Sequence, residues 1–112
     1  MKKLYYTLFI LSSLIIGVAY SPSETEGVFS GEVQRPSTWG IYNVLVTDMS
    51  TGSAVVTDMG GEFSYVKTGM MVGEIAEVPF SFKKEGFTEK QDIFPIKAGY
   101  VGYYYIVLEP EE

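Results

Sequence analysis

The chain of 112 residues contains neither histidine nor cysteine. Both absences exclude Ser-His-Asp and Cys-His catalysis, thiolate metal sites and zinc sites built on imidazole. The residue types present still allow catalysis by two carboxylates or by a Ser-Lys pair. The G-x-S-x-G spacing of a nucleophile elbow is absent, however, and so short a domain leaves little room for a substrate pocket. We therefore predict a protein that is not an enzyme.

Three carboxylates beside turns, Asp48, Asp58 and Glu62, are the candidate ligands for a hard cation. Calcium takes six to eight oxygen ligands, and its loops alternate acidic residues in a D-x-D-x-D pattern that the segment after Asp48 lacks. An Asp next to glycine more often caps a turn with its own side chain. The sequence therefore favours turn caps over a calcium site, and we predict no metal and no cofactor.

The elements that would hold such residues are short strands. Thr57 to Phe63 reads T-D-M-G-G-E-F, in which Asp58 caps a tight turn and glycine supplies positive φ. Similar alternating segments recur from Val28 onward, the pattern of an all-β sandwich. The predicted strands lie at 28–34, 44–47, 54–57, 63–65, 78–83, around Phe94 and Ile96, and at 103–108.

Alternation along these strands predicts the core. Ten side chains are expected to point inward: Phe29, Val33, Val44, Val46, Phe63, Tyr65, Phe80, Phe82, Ile106 and Leu108. The segment from Met70 to Ala76 fits either a short strand or a loop folded over one end of the sandwich.

The N-terminus has the three parts of a secretory signal. Lys2 and Lys3 precede an apolar run, and Gly17-Val18-Ala19 supplies small residues for a peptidase. Cleavage after Ala19 would leave a mature chain that begins at Tyr20. An uncleaved membrane anchor is the alternative, although the run is shorter than the roughly 20 residues of a comfortable span. We expect an exported protein, whether periplasmic, on the cell surface or secreted.

The expected organisation follows from these segments. It comprises a signal peptide at 1–19, a flexible leader at 20–27, a β-sandwich at 28–110 and an acidic tail at 111–112. The whole chain has 14 acidic and 8 basic residues, and loss of Lys2 and Lys3 would change its net charge from −6 to −8. Negative charge argues against nucleic acid and against electrostatic docking on anionic lipid. Membrane association is expected only if the signal segment is retained.

The order of motifs from Phe29 to Pro110 resembles the carboxypeptidase regulatory-like family, whose members are β-sandwiches of the transthyretin (prealbumin) type. The resemblance rests on five segments: Gly31-Glu32-Val33, Ile41 to Val46, Thr57-Asp58 with Gly61 and Phe63, Phe82 to Phe87, and Val107 to Pro110. Asn43 stands where that family usually has glycine, a change that Asn tolerates because it enters the left-handed region readily.

The resemblance implies a seven-stranded Ig-like, prealbumin-type sandwich that serves as an accessory module without catalysis of its own. It also implies which side chains of the last strand face the core. Tyr104, Ile106 and Leu108 would point inward, and Tyr103 and Tyr105 would point outward. An outward tyrosine pair has two interpretations. It either packs across strands, or it forms a flat face that binds a protein or a glycan. Both stay open, so the partner is an unidentified protein or glycan, and a purely structural accessory is the alternative function.

Overall fold

The computed structural model describes residues 21–111, which form seven strands in two facing sheets. The prediction of an all-β, seven-stranded sandwich is confirmed. The strands are β1 (Gly27–Gln34), β2 (Leu45–Asp48), β3 (Ala54–Val56), β4 (Glu62–Lys67), β5 (Ile75–Lys83), β6 (Lys90–Lys97) and β7 (Val101–Val107). The predicted signal helix and its cleavage site between Ala19 and Tyr20 lie outside the described residues.

The sandwich pairs a three-stranded sheet, in the order β4-β1-β7, with a four-stranded sheet, in the order β3-β2-β5-β6. β1 and β7 run parallel, and every other neighbouring pair is antiparallel. Parallel neighbours cannot be joined by a tight hairpin, and here the chain forms all four strands of the other sheet between β1 and β7. β1 lies between β4 and β7 and is therefore the central strand of its sheet, paired with residues of both neighbours.

The core between the sheets is built around one phenylalanine of β1. The Phe29 ring centroid lies 4.3 Å from that of Phe80, 4.7 Å from that of Phe94 and 5.1 Å from that of Phe63. All ten side chains predicted to point inward are buried. Close aromatic packing of this kind stabilises a small domain that lacks disulfides, because each buried ring removes a large apolar area from water.

Two turns adopt the backbone conformations that their residues predict. Asp58 Oδ1 accepts hydrogen bonds from the backbone N–H groups of Gly60 and Glu62, each at 2.9 Å, which confirms the predicted cap. Gly61 has a φ of 83°, and a Cβ there would lie 2.6 Å from the carbonyl oxygen of Val33. Asn43 has a φ of 64°, in the left-handed region that its side chain tolerates.

The ambiguous segment is mostly loop, and β5 begins at Ile75, before the predicted start at residue 78. Met70 is buried at the end of the core, and its N–H donates to the carbonyl of Thr25 at 3.0 Å. β1 likewise starts one residue earlier than predicted, at Gly27, where the leader was expected to continue. Residues 21–111 include no helix long and apolar enough to cross a membrane.

Candidate interaction face

The outer surface of the three-stranded sheet carries the predicted tyrosine pair. Along β7 the side chains alternate, so Tyr104 and Ile106 are buried while Tyr103, Tyr105 and Val107 turn outward. We name the exposed surface around them the tyrosine face. It consists of the outward side chains of β1, β4 and β7 near the pair: Ser30, Glu32, Glu62, Ser64, Tyr103, Tyr105 and Val107.

The two outward tyrosines contact each other edge to face. Their ring centroids are 5.4 Å apart and their planes meet at 82°. Tyr103 is half-buried, and Tyr105 keeps 51% of its surface exposed. The expectation that they lie side by side on one sheet face is confirmed. The two rings do not form the flat face of the second interpretation, because perpendicular rings form a corner and not a platform.

Two carboxylates stand beside this corner. Glu32 of β1 lies directly opposite Tyr105 on one side and directly opposite Glu62 of β4 on the other. Within residues 21–111 no lysine or arginine forms an ion pair with Glu32 or Glu62. Burial raises the pKa of Tyr103 above its ordinary value, and the negative charges of Glu62 and Glu32 raise it further. Tyr103 therefore stays a neutral phenol throughout the physiological range.

A second polar constellation joins the two sheets and was not predicted in full. Asp48, at the end of β2, accepts a hydrogen bond from the N–H of Ser50 at 2.9 Å, which is the expected turn cap. Its carboxylate is also fully buried and faces β4. Tyr65 donates its hydroxyl to Asp48 Oδ2 at 2.6 Å, and Lys67 Nζ lies 2.9 Å from the same oxygen.

The chemistry of this cluster is that of an internal ion pair. Burial raises the pKa of Asp48, but hydrogen bonds from Ser50, Tyr65 and Lys67 outweigh it and hold that pKa well below its ordinary range. The carboxylate is therefore ionised at neutral pH. Both of its oxygens already accept two hydrogen bonds each, which leaves no lone pair for a cation. Among residues 21–111, no three acidic side chains lie close enough together to hold a metal ion.

An S-x-x-K spacing, which could indicate Ser-Lys catalysis, occurs twice, at Ser64–Lys67 and at Ser81–Lys84. Ser64 and Lys67 lie on β4, where residues three apart point to opposite faces. Ser64 accordingly hydrogen-bonds Ser30 on the outer surface, while Lys67 reaches Asp48 on the inner side. The first pair therefore cannot act together. Ser81 lies in β5, and Lys84 follows the end of that strand.

Sequence reasoning also missed two exposed apolar side chains in neighbouring loops at one end of the sandwich. Trp39 and Met59 are 72% and 85% exposed. The turn that carries Met59 approaches the loop of Trp39 closely, since a Cβ on Gly40 would overlap the Gly60 carbonyl oxygen. The signal was present in the sequence, because a lone tryptophan beside a Pro-Ser-Thr break falls outside every predicted strand.

Comparisons with known proteins give the fold and little more. No protein-family model matches the chain, and no curated protein matches it. Among solved structures, it resembles 3-chlorocatechol 1,2-dioxygenase from Rhodococcus opacus 1CP, with a TM-score of 0.58 and 12% sequence identity. The match covers 80% of this chain and 62% of the dioxygenase chain. At that identity the likeness establishes a shared β-sandwich fold and says nothing of activity.

Proposed function

We propose that this protein is an exported, non-catalytic β-sandwich module that recognises a protein or glycan partner through the tyrosine face. The observation that carries the proposal is the edge-to-face pair of Tyr103 and Tyr105 on an open sheet surface. Tyrosine supplies a large contact area with only two side-chain torsions to immobilise, so its entropic cost on binding is modest. The sequence resemblance to carboxypeptidase regulatory-like modules supports an accessory role.

The non-catalytic part of the proposal rests on the residues present. The chain has no histidine or cysteine, and the buried carboxylate of Asp48 is engaged by Ser50, Tyr65 and Lys67. Catalysis needs polar groups that converge on a space open to substrate. The polar groups of the tyrosine face instead lie along the outside of a sheet, an arrangement that suits contact with a partner better than enclosure of a small molecule.

The alternative function is a purely structural accessory, in which the tyrosines only pack against each other. Capture of partners from envelope extracts separates the two functions. The Tyr103→Ser/Tyr105→Ser variant should lose the partner that the wild type retains, because serine removes both rings and leaves the strand intact. The matched control is Tyr42→Ser/Tyr100→Ser, which removes two exposed tyrosines outside the face and should retain the partner. A folded face variant that keeps every partner would favour the structural accessory.

Export has its own test. Protein from the native host should begin at Tyr20, because peptidase cleavage after Ala19 satisfies the small-residue rule of a signal. N-terminal sequencing measures this directly. An intact Met1 in a carbonate-resistant membrane pellet would instead establish the anchored form.

A further inference from the structure

All charged residues of the tyrosine face are acidic. Its outward positions on β1, β4 and β7 include Glu32 and Glu62 but no lysine or arginine. Basic residues stand elsewhere, with Lys83 and Lys97 at the ends of strands in the other sheet. A partner that covers the face therefore meets negative charge and aromatic rings together.

The two carboxylates are also opposed. Glu32 and Glu62 are direct neighbours across the antiparallel β1–β4 pair, where like charges destabilise a sheet. A cation placed between them would replace a repulsion with two attractions. Gln34 donates a hydrogen bond to Glu32 at 3.2 Å, but no ion pair in the described part of the molecule compensates the repulsion.

The tyrosines suit the same ligand. A ring face attracts an ammonium or guanidinium group that lies within about 6 Å of the centroid. The chain makes such a contact internally, where Lys97 Nζ lies 4.5 Å from the ring centroid of Tyr100. The planes of Tyr103 and Tyr105 meet at 82°, so a cation can lie over the face of one ring and beside the other ring. A sugar that stacked across both rings would need them to be coplanar.

From this complementarity we propose that the partner of the tyrosine face is a polypeptide segment bearing lysine or arginine, with its cationic groups held by Glu32 and Glu62 beside Tyr105. The inference rests on the proposed function and specifies its ligand. The raised pKa of Tyr103 agrees with it, since the neighbouring carboxylates already make that region negative.

Binding of defined peptides tests the inference. The full protein from its native host is titrated with hexalysine and hexaarginine, and with hexalysine acetylated at every side chain. Both basic peptides should bind, and the acetylated peptide should not. Glu32→Gln/Glu62→Gln should weaken binding about tenfold, or about 1.4 kcal/mol, because the charge contacts of both carboxylates are lost.

The matched control is Glu77→Gln/Glu85→Gln, which changes net charge equally at exposed positions away from the face. It should bind as the wild type does. Equal weakening in both variants would show attraction to overall charge and overturn the inference, and so would binding of the acetylated peptide. Thermal unfolding checks the folds, and Glu32→Gln/Glu62→Gln should melt no lower than the wild type because it removes a repulsion.

Two results separate this inference from the proposed function. If the native partner is lost with Tyr103→Ser/Tyr105→Ser but kept with Glu32→Gln/Glu62→Gln, the face is a recognition surface and the cationic ligand is wrong. Binding of a hexamer of N-acetylglucosamine in place of the basic peptides would likewise overturn the cationic ligand, and it would identify a glycan partner.

Discussion

Phe29→Ala is expected to remove a large share of the protein's free energy of unfolding at ambient temperature. Its ring packs against Phe63, Phe80, Phe82 and Phe94. Removing a buried phenylalanine typically lowers the free energy of unfolding by about 3–5 kcal/mol, because transfer energy and contacts around the new cavity are both lost. A small domain has only about 5–15 kcal/mol in total.

Urea unfolding followed by circular dichroism measures this effect. The control is Ile93→Ala on the outer side of β6, where half of the residue is already exposed and the expected loss is only about 1 kcal/mol. A loss under about 1.5 kcal/mol for Phe29→Ala would show that the two sheets do not pack around this ring.

Asp48→Ala should lower the free energy of unfolding by about 3 kcal/mol, close to the largest core effect. The substitution leaves Lys67 and the Tyr65 hydroxyl without their common acceptor at a buried position. Lys67→Met should cost much less. Asp48 keeps its bonds from Ser50 and Tyr65 in that variant, and the lysine is already partly exposed. Equal losses in the two variants would contradict a carboxylate-centred cluster.

The pH profile provides the second measurement on Asp48. Its folded pKa lies below the unfolded value of about 3.9, so its contribution to stability is complete above that value. The contribution is lost as pH falls from there toward the lower folded pKa. The stability difference between wild type and Asp48→Asn should therefore shrink between about pH 5 and pH 2. A difference that stays constant across this window would mean that Asp48 has no depressed pKa.

The faces of the strands could be predicted from the sequence because alternation is local. The spacing of Phe63 and Tyr65 predicts that both point inward, and the same rule extends to Lys67. Alternation does not predict which residue of the opposite sheet an inward side chain contacts. Asp48 and Lys67 form an ion pair because β2 and β4 lie in different sheets that face each other. The signal in the sequence was a lysine predicted to point inward at the end of a strand, because such a lysine needs an acidic residue buried nearby.

Other features depend on packing that no local pattern contains. Met70 belongs to a segment without periodicity, and it is buried because the loop folds back onto the leader at Thr25. The perpendicular rings of Tyr103 and Tyr105 result from side-chain torsions, which strand parity leaves undetermined. The outward direction of the pair was therefore predictable, and the shape of the surface that it forms was not.

The most direct test of the tyrosine face is photo-cross-linking in the native host. A photoreactive phenylalanine is placed at position 105 on the face, at position 93 on the outer surface of the other sheet, and at position 42 in a loop. These three positions are all exposed in the free protein. We predict a discrete cross-linked partner from position 105 and none from positions 93 and 42. A partner captured from position 93 or 42 but not from 105 would contradict it.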